Sequence, residues 1–195
     1  MSEDEGADHA ETAIVLDYLP HGKSEDDRPQ YQKPPLAHAV DESTFQLFEL
    51  VLTADGGVGI GDHVAVTADA DLIEEVRPIE YDDLSGGAQS ELEHVVADIV
   101  AENADEYIDF YNNAGPITLR LHQLNLLPGI GDKLRDDILD HRKRQPFDDF
   151  ADLETRISGL HDPQGVLVER IIEEIKDEDV KYKLFARPDE DEPAE

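Results

Sequence analysis

The apolar residues change their spacing once along the chain, at Ser85-Gly86-Gly87, and that change of period limits the fold to a strand half followed by a helix half. Before it lie short apolar runs bounded by turn residues. Ala13–Leu19 reads as a strand, the polar, Pro-rich stretch from Pro20 to Pro35 as a long loop, and Phe45–Leu52 as a second strand. Turns at Asp55-Gly56-Gly57 and Gly61-Asp62 lead into a third run, His63–Thr67, and Leu72–Ile79 closes the set. Short strands at such close spacing predict a small barrel, OB-like or SH3-like. Gly57, Gly59 and Gly61 precede a strand rather than opening a helix, so they are no dinucleotide fingerprint.

After the change, Ser90 with Glu93 three positions on reads as a capping box. Leu92, Val95, Val96, Ile99 and Val100 recur at helical spacing, and Tyr107, Ile108 and Tyr111 extend the face as far as Gly115-Pro116. Ile117, Leu121 and Leu124 line one further helix and Leu134, Ile138 and Leu139 another, joined through Pro128-Gly129-Ile130-Gly131. Pro146–Leu153 turns into a connector helix, and Ile157–Pro163 opens a helix over Val166–Ile175. The expected class is therefore α+β. Its expected parts are a disordered acidic tail over 1–11, a small β-barrel over 12–80, a helical connector over 81–115, an all-α domain over 116–178, and a C-terminal segment with an acidic tail over 179–195. With 195 residues, 39 % of them hydrophobic, the chain can build one or two cores.

A connection as tight as Pro128–Gly131 leaves the first backbone N–H groups of the following helix without intrahelical partners, which makes a cradle for phosphate. Residues 124–144 resemble the helix-hairpin-helix motif of proteins that grip nucleic-acid backbones, whose hairpin reads Leu-Pro-Gly-Ile-Gly with a basic residue nearby. The candidate binding residues are Pro128, Gly129, Ile130 and Gly131, with Lys133 and Arg135 adding charge and Arg142, Lys143 and Arg144 following the next phosphates. The same residues also fit a plain helix connection in which Lys143 and Arg144 complement the helix dipole. Gly159 aligns with Gly129 and His161 with Gly131, so the segment from Ile157 reads as a degenerate second copy; tandem copies of the motif pack as a compact helical unit, which implies a structural role for it.

Charge singles out the same place. The chain has 48 acidic and 16 basic residues, a net charge of −32. Residues 1–115 hold 28 acids and 4 bases, and residues 148–195 hold 16 acids and 6 bases. Only 116–147, with six bases and four acids, is not negative. So dense a carboxylate surface repels itself unless salt screens it, and at molar salt the Debye length is about 3 Å. It reads as the surface of a protein from an extreme halophile. The alternative, an acidic partner-mimic or histone-like decoy, is opposed by the basic island.

Three further stretches carry a whole-chain resemblance: Ile14–Gly22, Pro116–Leu124 and Lys181-Tyr182-Lys183-Leu184-Phe185. Together they resemble the archaeal family labelled domain of unknown function 655, from about residue 12 to 187. The resemblance implies a small barrel-like domain followed by tandem helix-hairpin-helix motifs, an RNA- or DNA-binding role, and genes lying near those of translation and transcription. Relatives carry a basic residue directly after the second hairpin glycine; this chain has Asp132.

Little supports an enzyme. Adjacent carboxylates are uninformative when a quarter of the residues are acidic. The eight His show no ligand spacing, and there is no Walker A sequence and no Gly-x-Ser-x-Gly. The absence of Cys removes disulfides, thiolate zinc sites and cysteine nucleophiles. No cofactor or metal is expected. No apolar run approaches the roughly 18–20 residues needed to span a membrane and the N-terminus is unlike a signal peptide, so the expected location is cytoplasmic, with no membrane partner. The expected function is non-catalytic binding of nucleic acid, RNA before DNA, in translation or ribosome maturation. The alternative is a docking module for ribosomal or transcription proteins, which would bury the hairpin or display an apolar patch.

Overall fold

The computed structural model describes residues 12–66 and 72–187; the acidic tails and the strand end at Thr67 lie outside the described residues. It is a mixed α+β protein of two compact units, one reaching Leu92 and one running from Glu93 to Arg187. The division falls inside the first long helix, so the residues expected to form a separate connector are shared between the units.

In the first unit, β1 (Thr12–Leu19), β2 (Leu36–Asp41), β3 (Leu47–Leu52), β4 (His63–Ala65) and β5 (Ile73–Ile79) form one antiparallel sheet in the order β4-β1-β2-β3-β5, curled into a half-barrel. A register shift between Val15 and Asp17 marks a bulge in β1, a device that bends a strand and increases its twist. Ala13, Val15, Ala37, Ala39, Phe48, Leu50, Leu52 and Ile73 form the core of this unit. Small residues face large ones in register, Ala37 opposite Leu50 and Ala39 opposite Phe48.

Strand β2 was not among the expected strands. Its sequence, Leu-Ala-His-Ala-Val-Asp, is poor in β-branched and aromatic residues, yet all six positions are buried, because a central strand is held by its neighbours rather than by its own propensity. The second expected strand also starts later: Phe45 has φ +57 and belongs to the turn between β2 and β3. Buried Asp41 organises that turn, its Oδ1 accepting from the backbone N–H and hydroxyl of both Ser43 and Thr44 at 2.7–3.0 Å.

Helix α1 (Gly86–Glu102) begins earlier than the Ser90 cap expected for it. The cap is Ser85, whose Oγ accepts from the Ala88 N–H at 3.1 Å and donates to Asp17 Oδ2 at 2.6 Å. Ser90 sits inside the helix with its hydroxyl on the Gly86 carbonyl. The expected continuous face is broken at Asn103, which takes φ −110 and ψ 34 and donates its amide to the Ile99 carbonyl, and α2 (Ala104–Asn113) follows.

The helix expected around Ile117, Leu121 and Leu124 is replaced by a tight loop and a 3-10 turn over Gln123–Leu126. Pro116 bridges to His122, and Thr118 Oγ1 accepts from the N–H groups of Arg120 and Leu121. That side-chain turn competes with the helix for the same backbone groups. The second unit continues with α3 (Asp132–Arg144), α4 (Phe150–Arg156) and α5 (Pro163–Lys176), the last starting three residues before Val166. Tyr111 ties α2 to α5, its hydroxyl donating to the Pro163 carbonyl at 2.7 Å. The closing stretch around Lys181–Phe185 is clipped onto α5 by buried Glu174, whose carboxylate accepts from the N–H groups of Leu184, Phe185 and Ala186 and from Arg170 Nε.

Candidate functional site

The hairpin ahead of α3 is built by two glycines with different duties. Gly129 holds φ +77, the left-handed conformation that ends a helical turn cheaply only without a Cβ. Gly131 is the N-cap of α3, in extended conformation and with no side-chain hydrogen bond onto the helix. Leu127 and Ile130 anchor the hairpin in the core, and the Ile130 N–H donates inward to the Leu127 carbonyl at 3.2 Å. Ile130 therefore offers no donor to a ligand. The first N–H groups of α3 remain uncapped at the positive end of its dipole, and nothing lies within 4 Å of where a Cβ would stand at Gly129 or Gly131.

The hairpin ahead of α5 repeats this backbone. Gly159 has φ +92, Ile157 and Leu160 are buried, and the Leu160 N–H donates to the Ile157 carbonyl at 3.3 Å. Its helix start differs. Asp162 caps α5, Oδ1 accepting from the Gly165 N–H at 3.0 Å, so a carboxylate of the chain already occupies the place an anion would take.

The six basic side chains of 116–147 divide by position into four groups. Lys133 is exposed beside the open hairpin and has no ion-pair partner among the described residues. Arg135 is pinned there, pairing with Asp132 at 2.8 Å and Asp136 at 2.9 Å and donating to Asn125 Oδ1 at 3.0 Å. Asp132 thus holds a base at the hairpin. Arg142 is committed elsewhere, Nη1 and Nη2 donating to the carbonyls of Tyr111 and Ala114 at 3.0 and 2.8 Å, where they close the C-terminus of α2. Lys143 and Arg144 are exposed at the far end of α3, about 15 Å along the axis from Lys133 by the helical rise. They are not needed as end caps there, since Arg156 takes the His141 and Gln145 carbonyls. Arg120 lies exposed at the tip of the Thr118 loop, next to the fully exposed Leu119.

A second polar cluster in the first unit escaped the sequence reading. His38, Glu49 and Arg77 are register partners across β2, β3 and β5. His38 is buried, Nδ1 accepting from the Ser85 N–H at 3.0 Å and Nε2 lying 3.5 Å from Glu49 Oε2. Burial pushes its pKa below the ordinary histidine value, so the ring is neutral with its proton on Nε2. Glu49 is 5 % exposed. Burial alone would raise its pKa, but Lys23, with Nζ 2.5 Å from Oε2, and His38 hold it below the usual carboxylate range. The one signal in the sequence was that residues 1–115 contain only four bases.

Among the described residues no group of His, Asp or Glu is arranged to hold a metal, and no helix is long and apolar enough to cross a membrane. The family described as "Protein of unknown function (DUF655)" matches residues 9–187. An uncharacterised protein of Methanocaldococcus jannaschii is 35 % identical over 178 residues, covering 90 % of this chain and 79 % of the relative. The crystal structure of Af1531 from Archaeoglobus fulgidus has a TM-score of 0.83 at 37 % identity, covering 91 % of this chain and 99 % of that one. The fold thus recurs in an archaeal protein of known structure, and the chain belongs to the DUF655 family.

Proposed function

We propose that this protein binds nucleic acid without catalysis, RNA in preference to DNA, by taking a backbone phosphate on the hairpin ahead of α3, in translation or ribosome maturation. The observation that carries the reading is the uncapped start of α3 at Gly131, with open space in front of both hairpin glycines. A helix N-terminus of this kind offers directional N–H donors and about half a positive charge. The repeated hairpin geometry supports a tandem helix-hairpin-helix unit in which the first copy binds and the second is structural. The half-barrel then serves as the small OB-like or SH3-like domain that accompanies it.

The acidic composition supports a halophilic setting, and in molar salt counterion release contributes little to binding. Hydrogen bonds from fixed backbone donors depend less on the ionic atmosphere, and of the two bases beside the hairpin Arg135 is already paired with Asp132 and Asp136, leaving Lys133 to add charge. The test is fluorescence anisotropy of a short RNA hairpin and a DNA duplex between roughly 0.5 and 3 M potassium chloride, a range set by the screening length. The expected result is binding with a shallow salt slope, tighter for RNA. A steep slope would transfer the affinity to the basic side chains. No binding to either would favour the docking alternative, to which the groove of about 1,010 Å³ lined by His161, Gln164 and Val168 beside the second hairpin would then be relevant.

A further inference from the structure

The first 115 residues hold 28 acids and four bases, and the fold brings all four bases to one place. Lys23 and Arg28 come from the long loop after β1 and Arg77 from β5; all three line one cavity of about 470 Å³. The fourth, Lys33, donates Nζ to the Lys23 carbonyl at 3.1 Å. The two arginines are held alike. Asp26 takes Nε and Nη2 of Arg28 at 3.0–3.1 and 2.7 Å, and Glu75 takes Nε and Nη2 of Arg77 at 2.9 and 2.6 Å. In each case a carboxylate two residues away grips one edge of the guanidinium. Nη1 of Arg28 has no partner among the described residues, and Nη1 of Arg77 has only a 3.4 Å contact with Glu49 Oε1.

Glu49 also lines this cavity, and it is more than nine-tenths buried. Its partner Lys23 is more than a third exposed, so Glu49 is a buried carboxylate among aliphatic residues paired with half-exposed bases, which is costly to keep for stability alone and calls for another explanation. Asp26 and Glu75, already spent on the two arginines, line the cavity with them; a bare anion would be repelled by Glu49 and Glu25, and a cation by the guanidiniums. The arrangement suits a ligand with an anion at one end and hydrogen-bond donors at the other. The volume is within the range of small-ligand sites.

We propose that this cavity binds a 5′-phosphorylated nucleotide, free or at the 5′ end of an RNA, with the phosphate between Arg28 and Arg77 and sugar hydroxyls or a base amino group donating to Glu49. This site is in the unit that does not contain the hairpin and does not rest on the hairpin reading.

The experiment is isothermal titration of the full chain with 5′-AMP, 5′-GMP, adenosine and inorganic phosphate, and with one short single-stranded RNA carrying either a 5′-phosphate or a 5′-hydroxyl. The expected result is one site for a nucleoside monophosphate or for the 5′-phosphorylated RNA, with the matching unphosphorylated probe about tenfold weaker or worse, the scale of charge-assisted hydrogen bonds. Monophosphate binding identifies a free nucleotide as the source; binding of the 5′-phosphorylated RNA alone identifies an RNA end. Arg28→Gln, on an exposed loop where folding is not at stake, and Arg77→Gln should each weaken it several-fold and together tenfold or more, while Gly131→Val leaves it unchanged. Failure of every phosphorylated probe, inorganic phosphate binding as tightly as the nucleotides, or indifference to both arginine variants would overturn the proposal. Loss of hairpin binding in Gly131→Val with this site intact would separate the two readings.

Discussion

Residues Leu127–Ile130 and Ile157–Leu160 share a buried aliphatic residue, a left-handed glycine and a second buried aliphatic whose N–H turns back on the first. They part at the residue that starts the helix. In the first hairpin α3 is capped at Gly131, which leaves its donors open; in the second the cap falls one residue later, at Asp162, the counterpart of Asp132, whose carboxylate closes them. On the proposed reading the hairpin geometry is a scaffold, and room for an anion is set by whether the chain caps the helix itself.

The largest test of this difference is a substitution that gives α3 a carboxylate cap of its own. Gly131→Asp should cap α3 as Asp162 caps α5 and lower affinity for RNA by more than tenfold, the anion site being filled from within. Gly131→Val should also lower it, by obstructing approach rather than by capping. His161→Val should change it less than twofold, because α5 is already capped. Anisotropy measurements with circular dichroism as the check on folding decide the matter; equal losses at both hairpins would show that the scaffold, not the cap, carries binding.

The basic residues extend the contrast from backbone to side chains. Arg142→Gln removes two hydrogen bonds that satisfy the end of α2, so it should cost about 1–3 kcal/mol in urea unfolding and leave affinity of the folded protein unchanged. Lys143→Gln with Arg144→Gln should do the reverse, with stability within about 0.5 kcal/mol of the parent and any loss appearing in binding. A loss of affinity with Arg142→Gln at full stability would return that residue to the interface.

A smaller effect is expected at the closed hairpin. Asp162→Ala should cost about 1 kcal/mol, the usual worth of a cap, while Gly131→Asp raises stability by a similar or lesser amount. Opposite signs in thermal unfolding are the signature; a destabilised Gly131→Asp would mean that the extended N-cap tolerates no side chain.

What could be read in advance followed the same division. Gly129 and Gly159 were legible because a backbone with φ > 0 leaves its mark on composition, whereas Ile130 reads as a phosphate contact and only its burial and inward N–H reveal an anchor. Strand β2 was not, since Ala37, His38 and Ala39 carry no strand preference and take their conformation from β1 and β3. The helix expected before the first hairpin failed on Thr118, whose hydroxyl holds a turn that apolar spacing cannot reveal. Arg142 read as a phosphate ligand because nothing local shows that the end of α2 lies against it. The cluster around Glu49 was beyond reach for the same reason: its four bases are spread from position 23 to 77 and meet only across the sheet.

The smallest effect concerns the way each hairpin is entered. His122 caps the 3-10 turn before the first, Nδ1 accepting from the Leu124 N–H at 3.1 Å, and that bond requires a neutral ring. Burial lowers its pKa from the ordinary value near 6.5, and the charges of Arg142 and Arg135 lower it further. The native state then binds fewer protons here than the unfolded chain. Its contribution is complete above about pH 6.5 and is lost as the pH falls through the lowered value. The second hairpin is entered through α4 and has no histidine in this role. Lowering the pH from about 7 to 5 should therefore reduce hydrogen-exchange protection of the Ile130 N–H relative to its equivalent at Leu160, by less than about 1 kcal/mol for a single net hydrogen bond. His122→Asn keeps an acceptor without a titration and should remove the difference. Affinity should move the other way, because a protonated His122 adds positive charge near Arg135. Parallel losses at Ile130 and Leu160 would point to a general effect of acid and erase this distinction between the hairpins.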